Sequence, residues 1–199
     1  MAQEIWLIRH GETAWSRSGA HTGRTDLPLT DAGRDNAARI GRWFKGRISG
    51  GPTFALVLTS PLQRARDTCR LAGYGDAAHV DPNLCEWDYG DYEGRATPDI
   101  QKERPGWSLW RDGVPGGETI EQVAARAEAV LARAVAADGD TALFAHGHIL
   151  RILTARWLGL DPHCGSLFAL STGSVSTLGY ERETRVISCW NLLPSASPG

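Results

Sequence analysis

The sequence predicts an α/β fold built on a largely parallel sheet, and three observations carry that prediction. Ile5–Ile8, Phe54–Leu58 (FALVL) and Thr141–Ala145 (TALFA) are short continuous apolar runs, the pattern of strands covered on both faces. Segments of helical length and period separate them. Polar groups follow each run at once: Arg9 and His10 after the first, Ser60 after the second, His146 after the third. Such sheets bind ligands beyond the carboxyl ends of their strands.

In chain order, Ile5–Ile8 is the first strand. Thr30 then caps a helix from Asp31 to about Gly46, with Ala37, Ile40, Trp43 and Phe44 facing inward. After FALVL, Ser60-Pro61 reads as an N-cap with proline at the first helical position, leading into LQRARDTCRLAG. Residues 81–118 are rich in Trp, Gly, Pro and acids, with little periodicity. Trp87, Tyr89, Tyr92, Trp107 and Trp110 offer more apolar area than a linker needs, so this reads as a loop-rich excursion that covers a site. Thr119 and Gln122 form a capping-box pattern ahead of Val123, Ala127, Val130, Leu131 and Ala134, with Gly139 closing that helix. TALFA is the next strand, and Ile149, Leu150, Ile152, Leu153 and Trp157 set a helical period after it. Ser174–Tyr180 and Arg185–Asn191 read as a late hairpin whose sheet edge points to a homodimer. With no repeat and no boundary signal, one domain is expected over 1–193, with 194–199 as a flexible tail.

At 199 residues and 42% hydrophobic, the chain is long enough to bury a core. A net charge of -2 gives no global attraction to nucleic acid or to an anionic membrane, so any anion must be held by locally placed cations. Cys69, Cys85, Cys164 and Cys189 lie far apart with no CxxC pair, which suggests neither a zinc knuckle nor a disulfide framework. With no signal peptide and no stretch of membrane-span length, the expected setting is cytoplasmic.

Arg9, His10, Arg64 and His146 are expected to converge at one sheet edge, a concentration of positive charge suited to a phosphoryl group. A neutral His10 held through its other ring nitrogen is the candidate nucleophile. His146, Arg9 and Arg64 are the candidates to stabilise transition-state charge. A carboxylic acid is also wanted to protonate a departing alkoxide, and Glu12, Glu86, Asp88 and Glu93 all remain candidates on spacing. Arg151 lies about one helical turn beyond His146. His148, with His10 and His21, lacks a carboxylate at ligand spacing, so no metal and no cofactor are expected. His79 and His163 read as surface residues, and the tryptophans as packing rather than a stacking platform.

RHGET (Arg9–Thr13), Thr22-Gly23 followed by DLPLT, SPLQR (Ser60–Arg64), Glu86 in EWDYGDYEG, and AHGH (Ala145–His148) together resemble the histidine phosphatase, or phosphoglycerate-mutase-like, superfamily, with all motifs in family order. The resemblance implies a three-layer α/β/α sandwich and a metal-independent phosphatase acting on a small phosphate ester. It further implies His10 as the phosphorylated nucleophile, Arg9, Arg64 and His146 as the phosphate pocket, and Glu86 as proton donor. Ser16 and the flanking motifs look like the branch containing fungal sedoheptulose-1,7-bisphosphatase, which makes Ser16, Thr22, Gly23, Tyr89 and Arg151 expected substrate contacts. Loops around 49–53 and 95–118 look trimmed relative to that branch. A mutase-type phosphotransferase and a non-catalytic phospho-ligand-binding module are the rival readings. Role switching by Glu86 calls for a raised pKa, from burial against Trp87 or Tyr89 or from phosphate charge, and for activity peaking on the acid side of neutrality.

Overall fold

The apolar runs become neighbouring strands of one sheet. The structure, a computed structural model, describes residues 3–47 and 51–195; residues 48–50 of the expected loop and 196–199 of the expected tail lie outside the described residues. Six strands, β1 (Ile5–Arg9), β2 (Leu56–Thr59), β3 (Ala78–Val80), β4 (Thr141–Ala145), β5 (Val175–Glu181) and β6 (Thr184–Leu192), lie in the order β3-β2-β4-β1-β5-β6. β1, β2, β3 and β4 run parallel, while β5 and β6 form the antiparallel hairpin. The helices are α1 (Ala14–Ser18), α2 (Asp31–Arg47), α3 (Gln63–Leu71), α4 (Thr97–Glu103), α5 (Leu109–Asp112), α6 (Ile120–Val135) and α7 (Gly147–Trp157). None of the described helices is long and apolar enough to cross a membrane.

Strand alternation divides the core into two layers. Ile8, Val57, Ala142, Phe144 and Val175 pack with Ile40 and Phe44 of α2 and Cys69 of α3. Ile5, Leu7, Leu58, Leu143, Ala145 and Leu178 point the other way, onto α6, α7 and the aromatics of the excursion. The result is the expected α/β/α sandwich. Trp87, Tyr89, Tyr92 and Trp107 are buried, so the 81–118 segment is an integral cover, with α4 and α5 inside it.

Thr30 Oγ1 accepts from Gly33 N (3.0 Å), and Thr119 with Gln122 forms the capping box. Two helix boundaries differ from expectation. α3 starts at Gln63, where the Asp26 carboxylate accepts from Gln63 N (2.7 Å); Ser60 Oγ accepts from Leu62 N (3.3 Å), ahead of the helix, and faces His146 Nε2 at 2.7 Å. α6 stops at Val135, well short of Gly139; Gln3 Nε2 donates to the carbonyls of Ala134, Ala137 and Gly139, and so takes over the C-terminal capping. The second strand is shifted toward its carboxyl end relative to FALVL and runs through Thr59.

Candidate active site

Register brings the site together. β4 lies between β1 and β2, with Arg9 opposite Ala145 and Thr59 opposite Phe144. The next residues of the three strands, His10, Ser60 and His146, therefore emerge side by side. The His10 and His146 rings are 5.1 Å apart between centroids.

His10 is buried, and its Nδ1 lies 2.7 Å from Gly11 O, so that nitrogen carries the proton and Nε2 presents its lone pair. Burial, together with the Arg9 and Arg64 guanidinium charges, pushes its pKa down to about 3, which keeps the imidazole neutral. The support for this geometry comes from both sides. Thr68 Oγ1 accepts from Gly11 N (3.0 Å) and donates to Arg64 O (2.7 Å). Gly173 N donates to His10 O (2.9 Å).

Arg64 is fully buried. It donates to His146 Nδ1 (3.1 Å) and to the carbonyls of Thr25, Thr22 and Gly23. Its guanidinium thus braces both His146 and the 22–25 loop. The bond into Nδ1 puts the His146 proton on Nε2, which faces Ser60 Oγ at 2.7 Å. Arg9 NH1 donates to Leu170 O, and its planar head lies against Gly147, where a Cβ would come within 3.3 Å of Cζ. Arg9 Nε is buried without a hydrogen-bond partner among the described residues, a donor held ready for an anion.

Of the four candidate acids, Glu86 alone lines the histidine cavity. Glu12 is bonded to Thr30 Oγ1, Asp88 to Arg24, and Glu93 to the amides of Gly23 and Thr25. Glu86 accepts from Trp87 N (3.1 Å), His148 N (3.0 Å) and Ile149 N (2.9 Å). The last two belong to the first turn of α7, whose N-cap residue His146 supplies no side-chain cap. The carboxylate takes that place. Burial pushes its pKa up, but bonding to His148 and the neighbouring positive character outweigh burial and hold it well below the usual carboxylate range. The raised pKa expected from the sequence is thus corrected for the unliganded site: burial here comes with amide donors that favour the anion.

A cavity of about 230 Å³ is lined by Arg9, His10, Glu86 and His148 together with Ser16, Gly19, Ala20, His21, Thr22, Tyr89 and Thr97, while Arg64 and His146, both fully buried, are not in its lining. Larger cavities lie away from the histidines, one beside Arg66 and Arg70 and another beside Glu4 and Asp140. Among the expected substrate contacts, Ser16, Thr22 and Tyr89 line the cavity. Gly23 and Arg151 do not: Gly23 is pinned by Glu93, and Arg151 bonds to Gly165 O and Ser166 O with its guanidinium 4.5 Å from the Trp110 ring centroid. His79 and His163 are exposed.

Sequence reasoning missed Ser60 as a partner of His146, Thr68 behind His10, and His21 with Thr97 in the wall. His21 stacks 4.8 Å from Tyr89 and 5.7 Å from Trp107, and burial pushes its pKa to about 4. Its place in the HTG stretch was a usable signal; Thr97 carried none.

A family model, the histidine phosphatase superfamily (branch 1), matches residues 5–193. An acid phosphatase of Mycobacterium tuberculosis is 39% identical over 196 residues, covering 98% of this chain and 95% of the relative. Sedoheptulose 1,7-bisphosphatase of Saccharomyces cerevisiae is 38% identical over 182 residues, covering 77% and 67%. Among solved structures, an open reading frame product of M. tuberculosis superposes with a TM-score of 0.89 at 38% identity, covering 97% of this chain and 99% of that one. Mycobacterial glucosyl-3-phosphoglycerate phosphatase in complex with VO3 gives 0.83 at 27% identity, covering 96% and 99%.

Proposed function

The chain belongs to the histidine phosphatase superfamily and is a phosphoric monoester hydrolase; from that premise we propose that it hydrolyses a small sugar phosphate through a phosphohistidine on His10, without a metal. The observation that carries this reading is the His10 tautomer: Nδ1 is fixed on Gly11 O, so Nε2 is an unprotonated nucleophile facing the cavity.

In the first step, His10 Nε2 attacks phosphorus and the bond to the alkoxide oxygen breaks. Glu86, protonated in the loaded site, gives that oxygen its proton. In the second, water attacks the phosphohistidine, Glu86 takes the proton, and the P–N bond breaks to return neutral His10 and inorganic phosphate. Arg9 meets the phosphoryl charge with its unpartnered Nε. Arg64 holds His146, whose Nε2 proton turns from Ser60 to a phosphoryl oxygen. Arrival of the phosphate charge raises the Glu86 pKa and so loads the acid. Both His146 nitrogens are already engaged by protein groups, which favours a charge-stabilising role over metal ligation. Ser16, Thr22 and Tyr89 contact the organic portion.

The similarity to the yeast bisphosphatase supports sugar bisphosphates, sedoheptulose 1,7-bisphosphate among them, as the first substrates to try. A phosphate-release screen across sugar bisphosphates, sugar monophosphates and phosphoglycerates tests this. Release as free phosphate, unaffected by a chelator and inhibited by vanadate, is the expected result. Transfer of label to a second organic acceptor would establish the mutase reading instead.

A further inference from the structure

The contact between Tyr89 and His148 has a proton count that its environment does not use up. Tyr89 Oη and His148 Nδ1 are 2.6 Å apart, and the tyrosine is 1% exposed. A phenol and a neutral imidazole hold two exchangeable protons, and this contact engages one. If Oη–H donates, the ring proton sits on Nε2; if Nδ1–H donates, the hydroxyl proton is free. The nearest carboxylate oxygen, Glu86 Oε2, lies 3.8 Å from the same Nδ1, so a contact with Glu86 draws on that one proton and not on a second. In either tautomer, one donor is left over.

Both residues line the cavity beside Glu86, the candidate acid at the leaving oxygen. The pair is rigid: His148 is wedged against Trp110, Trp87 and His21, and Tyr89 is stacked by His21. Ser16 Oγ and Thr22 Oγ1 are committed to the backbone, to Thr13 O and Ala20 O, and Thr97 Oγ1 faces His21 Nε2 at 3.4 Å.

We propose that Tyr89 and His148 act as one specificity-determining unit whose spare proton hydrogen-bonds a hydroxyl next to the scissile phosphoester, selecting hydroxylated alkyl phosphates over their deoxy counterparts. The inference rests on the phosphatase reading and names the substrate feature that its site recognises. Whichever atom carries the spare proton, a donor facing an apolar carbon would be left unpaired, which is why the deoxy ester is disfavoured.

The test compares kcat/KM for 2-hydroxypropyl phosphate and n-propyl phosphate, which differ by the one neighbouring hydroxyl. Wild type favours the hydroxylated ester by about tenfold or more, the value of roughly one hydrogen bond. Tyr89→Phe and His148→Gln each reduce that ratio about tenfold, and the double variant reduces it no further, since the two act together. A ratio cancels the amount of folded enzyme, so partial misfolding does not blur it. Equal losses on both esters, or additive ratio losses in the double variant, overturn the proposal while leaving the phosphatase reading intact. Absence of phosphate release from either ester in wild type removes both.

Discussion

Glu86 carries two demands that pull in opposite directions. As the cap of the α7 first turn it is stabilised as an anion by amide donors. As the acid of the first chemical step it must hold a proton. The unliganded site favours the anion, and substrate charge has to reverse that preference. Glu86→Gln is therefore expected to lower kcat on alkyl phosphates by roughly 10²–10⁴ while costing much less on aryl phosphates, whose phenolate leaves without protonation. Rates on both ester classes measure this; equal losses would contradict the acid role. The sign of the pH dependence follows from the same residue. In the free enzyme the carboxyl pKa is depressed, so the fraction able to bind substrate with Glu86 protonated falls as pH rises, and kcat/KM on alkyl phosphates should fall between about pH 5 and about pH 9. His10, depressed to about 3, stays a free base over that range and adds no acid limb of its own.

At the scale of elements, the site depends on how closely α2 approaches the end of β1. A Cβ on Gly33 would lie 2.2 Å from Glu12 O and 2.8 Å from Glu12 N, both backbone atoms, one residue beyond the His10-Gly11 peptide. On an exposed helix position Gly→Ala would stabilise by about 1 kcal/mol. Here Gly33→Ala is expected to destabilise by about 1–3 kcal/mol through overpacking, read from the denaturant midpoint. A stabilised variant would show that the contact is not tight. Legibility also follows from these contacts. α2, α6 and α7 were readable because their apolar period is local, and α2 and α6 carry local N-caps as well. α3 was placed too early because Ser60, which looks like a cap, reaches Leu62 N and His146 ahead of the helix, while the first helical amide, Gln63 N, is held by Asp26 from a distant loop. β3, α1 and α4 are three to seven residues long. Segments that short have little intrinsic stability and are held by tertiary packing, so they leave no pattern in the sequence.

At the scale of the whole molecule, the convergence of His10, Arg64 and His146 was legible because each follows an apolar run at the same strand end. The protonation state of Glu86 was not, since it depends on amides of a helix more than sixty residues away. The collected charge has a global consequence. His10, His21, His146 and His148 all have pKa values lowered by burial first of all. Below the ordinary histidine pKa of about 6.5 the unfolded chain binds protons that the native state refuses, so stability falls with falling pH, by up to ~1.4 kcal/mol per pH unit for each such histidine. The melting temperature should therefore drop between about pH 7 and about pH 5; a flat profile would contradict the burial of neutral imidazoles. The central claim, covalent transfer to His10, is tested most directly by rapid quench of the enzyme with a ³²P-labelled ester followed by mapping of the acid-labile phosphate. Label on His10 at early times, with neither label nor turnover in His10→Ala, is the predicted result. Appreciable turnover in that variant, or label on another residue, would contradict it.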